Sequence, residues 1–118
     1  MISLLIIDDN EDSLRIEKLI LEQEGFFVDT AVSGDQALEL LDCSQELDLI
    51  LLDMQLGDMS GMDFLIILEK KYPHIIQNTP VVFLTGQRDI PSSVAAGIIH
   101  KPVDMDTLIK SVRHYLRL

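Results

Sequence analysis

The sequence predicts an α/β fold, a doubly wound five-stranded parallel sheet with helices on both faces. Two patterns predict it. Short apolar runs alternate with stretches of helical period from one end of the chain to the other. The middle run, residues 49–52, is apolar at every position, as a strand covered on both faces should be. Strand and helix alternating in this way build βαβ units with right-handed crossovers. Folds of this class bind ligands outside the carboxyl ends of their strands, so those ends are where function is sought.

Taken in order, residues 3–7 read as a buried strand and residues 11–24 as a helix with Ile16, Leu19 and Ile20 on one face. Gly25 is a plausible stop for that helix. Residues 26–32 form the second strand. Ser33 caps a helix that runs to about Leu41, with Ala37, Leu38 and Leu41 inward. Residues 48–52 are the third strand, and a turn around 57–61 leads to a helix carrying Phe64, Leu65 and Leu68, which ends near Tyr72-Pro73. Residues 80–84 and 97–99 complete the sheet. The closing helix spans 104–116, with Asp104 as cap and Met105, Leu108, Ile109, Val112 and Leu116 as its apolar stripe. Without repeats or a low-complexity linker, residues 1–118 read as one domain.

Composition narrows the class. Hydrophobic residues make up 47% and charged residues 25%, as in an ordinary soluble protein. The apolar runs are too short to span a bilayer. No basic flank or small-residue cleavage site accompanies Met1, so a secretory signal is not expected and the cytoplasm is. Cys43, the one cysteine, cannot form an internal disulfide and reads as a small half-buried residue in a reducing compartment. A net charge of −11 argues against the domain gripping nucleic acid or an anionic membrane, since both need a positive footprint, and it suits a cation.

The strand ends carry the chemistry. The first ends in Asp8-Asp9-Asn10, the third in Asp53, the fourth in Thr85-Gly86 and the fifth in Lys101-Pro102. Several carboxylates make a hard-oxygen site suited to Mg²⁺, and a lysine and a hydroxyl nearby suit the oxygens of a phosphoryl group. Two carboxylates about 4 Å apart repel by roughly 4 kcal/mol at an effective dielectric of 20, so Lys101, a proton or a divalent cation must offset them. Singly, each residue has a plainer role: helix capping for Asp8-Asp9-Asn10, a turn for Asp53, a strand end for Thr85, a solvated surface for Lys101. Their joint placement at strand ends favours a site, with Asn10 assigned to the start of the first helix.

This pattern resembles the receiver domain of response regulators, the CheY-like superfamily of two-component signalling. The resemblance rests on residues 5–10, 51–61, Leu84-Thr85-Gly86 and Lys101-Pro102, and extends over nearly the whole chain. It implies a flavodoxin-like strand order of 2-1-3-4-5. It also implies that Asp53 is the phosphoacceptor, and that Asp9, Asp8, Asp53 and the Gln55 backbone carbonyl hold Mg²⁺, with Mn²⁺ as a substitute. Thr85 and Lys101 would contact phosphoryl oxygens. The donor would be a phosphohistidine on a sensor histidine kinase or a histidine phosphotransfer protein, or a small acyl phosphate. The recipient of the signal would be a downstream protein or a C-terminal output domain, and no substrate turnover is expected. His74, His100 and His114 read as surface or partly buried residues, not donors. Gln55 and Gln87, where the family varies its residues, are neutral amides and poor general bases.

The chain departs from the family in three places. Leu56 and Gly57 replace a common Met-Pro. Residues 86–100 number only 15, one to two helical turns fewer than the family usually places between its threonine and lysine, so the fourth helix, between the fourth and fifth strands, is expected to be short, displaced or absent. Ile98 stands where a switching Tyr or Phe is usual. Readout is therefore expected through another surface, such as the first or last helix, or through a rearrangement of residues 87–96. Two other readings compete: a phosphorylation-independent pseudo-receiver scaffold, and a Mg²⁺-dependent phosphohydrolase with an aspartyl nucleophile. The second is weakened by Asp8-Asp9 in place of Asp-x-Asp and by the lack of a cap domain. A nucleotide-binding fold is disfavoured, since no Gly-rich phosphate loop follows the first strand.

Overall fold

In the computed structural model, residues 1–43, 46–87 and 95–118 are described. Five parallel strands run β1 (Ser3–Ile7), β2 (Phe27–Ala31), β3 (Leu49–Leu52), β4 (Val81–Thr85) and β5 (Gly97–His100), in the spatial order β2-β1-β3-β4-β5. Side chains alternate across a strand, so each strand feeds two cores. Leu5, Ile7, Ile50, Leu52 and Phe83 face α2 (Gly34–Asp42) and α3 (Gly61–Lys71), meeting Ala37, Leu41, Phe64, Leu65 and Leu68. Leu4, Ile6, Leu49, Leu51, Val82 and Leu84 face α1 (Glu11–Gln23) and α5 (Met105–Leu116), meeting Leu14, Leu21, Leu108 and Val112. Helices thus cover both faces, and the strand boundaries lie within one residue of the sequence expectation.

Four helices start under a side-chain cap. Asn10, Ser33, Ser60 and Asp104 accept from the backbone N–H groups of Ser13, Gln36, Asp63 and Thr107 at 3.0, 3.1, 3.0 and 2.7 Å. Each cap is worth about 1 kcal/mol, and each fixes where a helix leaves the strand-end edge. Gly25, at φ +92°, ends the turn after α1 as the sequence implies. Gly61 is required by space: a Cβ there would collide with the Asp53 carbonyl, because the Gly61 N–H donates to the Met54 carbonyl at 2.7 Å and draws α3 against the end of β3.

Four expectations are corrected. The buried stripe of α1 is Leu14, Glu17 and Leu21, while Ile16 and Leu19 are each 59% exposed and Ile20 is half-buried. The spacing 14-17-21 is a sound helical stripe, but the acid at 17 hides it and displaces the reading by roughly a third of a turn. Met105 of α5 is likewise exposed, because Leu108 and Val112 suffice to fill that face. Cys43 is exposed rather than half-buried, at the C-cap of α2. Pro73 both ends α3 and, as a residue favoured in the first helical turn, opens a further short helix, α4 (Pro73–Asn78). The expectation about the helix between β4 and β5 falls on residues 87–96, of which 88–94 lie outside the described residues; Gln87, Ala95 and Ala96 are not helical.

Glu17 is 7% exposed and its Oε1 is sealed from solvent without a hydrogen-bond partner. Burial pushes its carboxyl up to about 7, against the pull of Lys101 and with a further push from Asp8 and Asp53. The folded protein therefore holds a proton that the unfolded chain releases above pH 4.5, and stability is lost as pH rises from there through about 7. Glu17→Leu is expected to stabilise the fold, by an amount that grows to about 3 kcal/mol between pH 4.5 and 7.5 in urea titrations. A difference independent of pH would contradict the burial argument. Gly61→Ala is expected to cost about 2 kcal/mol in the same assay, because backbone rather than a flexible side chain must give way.

Candidate functional site

The sheet register brings the site together. Ile7 of β1 lies opposite Leu52 of β3, so Asp8 and Asp53 leave the sheet side by side, and the Asp53 N–H still donates to the Ile7 carbonyl at 2.9 Å. Thr85 of β4 lies opposite His100 of β5, so Thr85 and Lys101 emerge together, with the Lys101 N–H on the Thr85 carbonyl at 2.8 Å. Neighbouring strands are about 4.8 Å apart, so side chains at adjoining ends share a space a few ångströms wide.

Three acids converge there. Asp8, Asp9 and Asp53 each offer a carboxylate oxygen, and these oxygens lie within 4.8 Å of one another. Asp8 is buried, Asp9 exposed and the Asp53 side chain 17% exposed. The Lys101 ammonium donates to Asp8 Oδ2 at 2.9 Å and to Asp53 Oδ2 at 3.2 Å. The remaining oxygens are not idle. Asp8 Oδ1 accepts from the Asn10 N–H at 3.0 Å, and Asp53 Oδ1 from the Gln55 N–H at 3.2 Å. Burial raises the Asp53 carboxyl above its ordinary range, helped by its contact with the Asp8 carboxyl; the Gln55 N–H and Lys101 pull it back only in part. Burial alone would lower the Lys101 ammonium, but its bonds to Asp8 and Asp53 outweigh that and leave its pKa raised.

Asp9, Asp53, Gln55, Thr85 and Lys101 line one open cleft of about 280 Å³. All the residues singled out from the sequence thus stand at one edge of the sheet. Thr85 is almost wholly buried, and its Oγ1 accepts from the Gln87 N–H at 3.1 Å. A hydroxyl that accepts still has its own proton to donate. Gln55 sits in a tight turn closed by a bridge to Ser60, with Gly57 at φ +82° facing the Asp9 side chain. His74, His100 and His114 are exposed and take no part. The donor set is all hard oxygen, with the Lys101 ammonium beside it, and fits a divalent ion such as Mg²⁺ better than a softer metal.

Two residues with a bearing on the site escaped the sequence reading. Asp58 accepts from the N–H groups of Gly34 and Asp35, both at 3.0 Å, and these bonds hold its carboxyl below the usual range. It ties the loop after β3 to the start of α2. Glu17 lies on the buried face of the first helix, coupled electrostatically to Lys101, Asp8 and Asp53. Only the α1 stripe period, read with an acid allowed in it, would have pointed to it.

No helix among the described residues is long and apolar enough to cross a membrane. The family model described as "Response regulator receiver domain" matches residues 4–113. A response regulator receiver domain protein from Methanospirillum hungatei superposes with a TM-score of 0.85 at 28% identity, covering 99% of this chain and 94% of that one. A two-component response regulator from Clostridium difficile superposes with a TM-score of 0.86 at 25% identity, covering 99% and 97%. Among curated proteins of Escherichia coli, 92% of the chain is 34% identical to the transcriptional regulatory protein GlrR, and 97% is 33% identical to the aerobic respiration control sensor protein ArcB. Those matches span only 25% of GlrR and 15% of ArcB, so the chain corresponds to one part of each. With five parallel strands in the order 2-1-3-4-5 and an acidic trio at their carboxyl ends, the chain belongs to the response regulator receiver domain family of two-component signalling.

Proposed function

We propose that residues 1–118 act as one phosphoacceptor switch, with Asp53 as the residue that takes the phosphoryl group. The observation that carries this reading is the environment of the Asp53 carboxylate, which shares a pocket with Asp8 and Asp9 and is bonded by the Lys101 ammonium. Receiver domains bind Mg²⁺ through such an acidic pocket. Here Asp8, Asp9, Asp53 and the Gln55 backbone carbonyl would hold it, and Mn²⁺ would serve as well. When bound, the ion neutralises the charge that builds up as an anionic carboxylate nears an anionic phosphoryl group.

The chain's own residues do the rest. An Asp53 oxygen attacks phosphorus, the P–N bond of a phosphohistidine breaks, and the bonding pair leaves with the imidazole, which ends protonated from solvent. Lys101, freed from the Asp53 oxygen, pairs with one phosphoryl oxygen, and the Thr85 hydroxyl donates to another. Both stand on rigid strand ends, so little reorganisation is left for the moment of transfer. The donor is a sensor histidine kinase or a histidine phosphotransfer protein, and the listener is a downstream protein or an output domain. The chain works in the cytoplasm as a switch that is consumed and reset, not as an enzyme turning over a substrate.

An acyl phosphate with Mg²⁺ is expected to add one phosphoryl group by intact mass, and Asp53→Ala to abolish the gain. An unmodified wild type would leave the scaffold reading standing. Hydrolysis of a phosphomonoester that survives Asp53→Asn would establish a phosphohydrolase instead. Millimolar Mg²⁺ is expected to raise the wild-type Tm, by about 6 °C where it is tenfold above Kd, through linkage to the native state, and Asp9→Asn to blunt the rise. Equal shifts in both proteins would put the ion elsewhere.

A further inference from the structure

Lys101 and Gly86 stand between two clefts. One is the acidic cleft of Asp9, Asp53 and Thr85. The other, about 540 Å³, runs between α1 and the start of α5, with Ile20, Val103 and Leu108 among its apolar walls. Among the described residues, two carboxylates border this second cleft, Glu17 and Asp104. Asp104 is exposed and already engaged, its Oδ1 capping α5 through the Thr107 N–H. Glu17 is buried in the Leu14–Leu21 stripe with Oε1 unpartnered, a position an apolar residue would fill at less cost. Lys101 therefore has carboxylates on both sides, occupied ones at Asp8 and Asp53 and an unoccupied one at Glu17.

This asymmetry matters once a dication enters the acidic cleft, so a role for Glu17 rests on the proposed function of that cleft as a Mg²⁺ site. The ammonium and the ion compete for the same oxygens, because Lys101 already bonds Asp8 Oδ2 and Asp53 Oδ2. Both are cations, and the loser must find another anion or be solvated. We propose that Glu17 is a positioning residue for Lys101, a second carboxylate that receives the ammonium when a divalent ion takes over Asp8 and Asp53. The lysine is then held charged at the rim of the acidic cleft rather than released to solvent, within reach of a phosphoryl oxygen when one arrives. Glu17 touches neither the phosphoryl group nor the ion in this role and acts only through Lys101.

The two ends of the exchange are separately visible by NMR on the full chain at about pH 8, where the Glu17 carboxyl, pushed up to about 7 by burial, has lost its proton. Mg²⁺ is expected to shift the carboxyl ¹³C signals of Asp8, Asp9 and Asp53, and an NOE between the Lys101 Hε and Glu17 Hγ protons is expected to appear as they shift. The same NOE should fail to appear in Asp9→Asn at Mg²⁺ levels that do not load it. Glu17→Leu is expected to weaken Mg²⁺ binding roughly fivefold, and to have no effect on it in a Lys101→Ala background. If Lys101→Ala does not fold, the NOE alone decides. Shifts at Asp9 and Asp53 without the NOE would overturn the role of Glu17 and leave the metal site standing. So would a Glu17→Leu effect of undiminished size without Lys101, since that would be a long-range charge effect. If none of the three aspartates responds to Mg²⁺, the metal reading fails, and the role of Glu17 fails with it.

Discussion

Lys101 reaches across from β5 to carboxylates at the ends of β1 and β3, 2.9 Å from Asp8 and 3.2 Å from Asp53. Those two carboxylates and that of Asp9 have oxygens within 4.8 Å of one another, and charges so placed repel by several kcal/mol in a partly buried setting. The parallel register leaves no freedom to relieve this, because Asp8 and Asp53 follow directly on paired residues of neighbouring strands. The fold therefore needs a cation or a proton at this edge to offset the acids. The burial of Asp8 makes that need acute, since an ionised group shut from water is tolerated only when paired. Lys101 meets it here, and its place directly after the fifth strand makes the two halves of the sheet depend on one another at their functional end.

The same edge explains the pattern of caps and glycines. Every strand that carries a site residue must hand the chain to a loop or helix without blocking the cleft. Asn10 and Asp104 turn the chain at once into α1 and α5, while Gly61 lets α3 press against the carbonyl of Asp53. Asp58 binds the β3 loop to the start of α2, so the residues flanking Asp53 are braced by both helices on that face of the sheet. Transfer chemistry that relies on position rather than on strong acids or bases benefits from bracing of this kind.

Much of this was legible in the sequence, and the parts that were not share a cause. Strands buried on both faces announce themselves as unbroken apolar runs, and polar residues closing four such runs define an edge before any coordinate is known. Glu17 defeated the reading of α1 because binary patterning assigns an acid to solvent, and its burial is fixed by helices and strands that meet only in three dimensions. Asp58 was invisible for a related reason: its partners, Gly34 and Asp35, lie 24 and 23 residues away. Pro73 reads locally as a stop, although proline equally suits the first turn of a new helix. Local signals were thus reliable for what the backbone does, and long-range electrostatics was where they ran out.

Ile98 bears on how a change at Asp53 can leave the site. It pairs with Phe83 across β4 and β5 and packs against the core on the α2–α3 side. An aliphatic side chain held there has no polar tip to exchange between core and water, so it gains nothing by following a movement of Thr85. The backbone around Thr85 is differently placed. Its hydroxyl accepts from the Gln87 N–H while its carbonyl accepts from the Lys101 N–H. Under the proposed chemistry Thr85 can donate its own proton to a phosphoryl oxygen without giving up either bond. Any displacement of Thr85 is then imposed on Gln87 and on Lys101 through hydrogen bonds already in place. The pull is exerted on the start of the β4–β5 connection and on the far end of β5 at once, and no aromatic ring is needed to carry it.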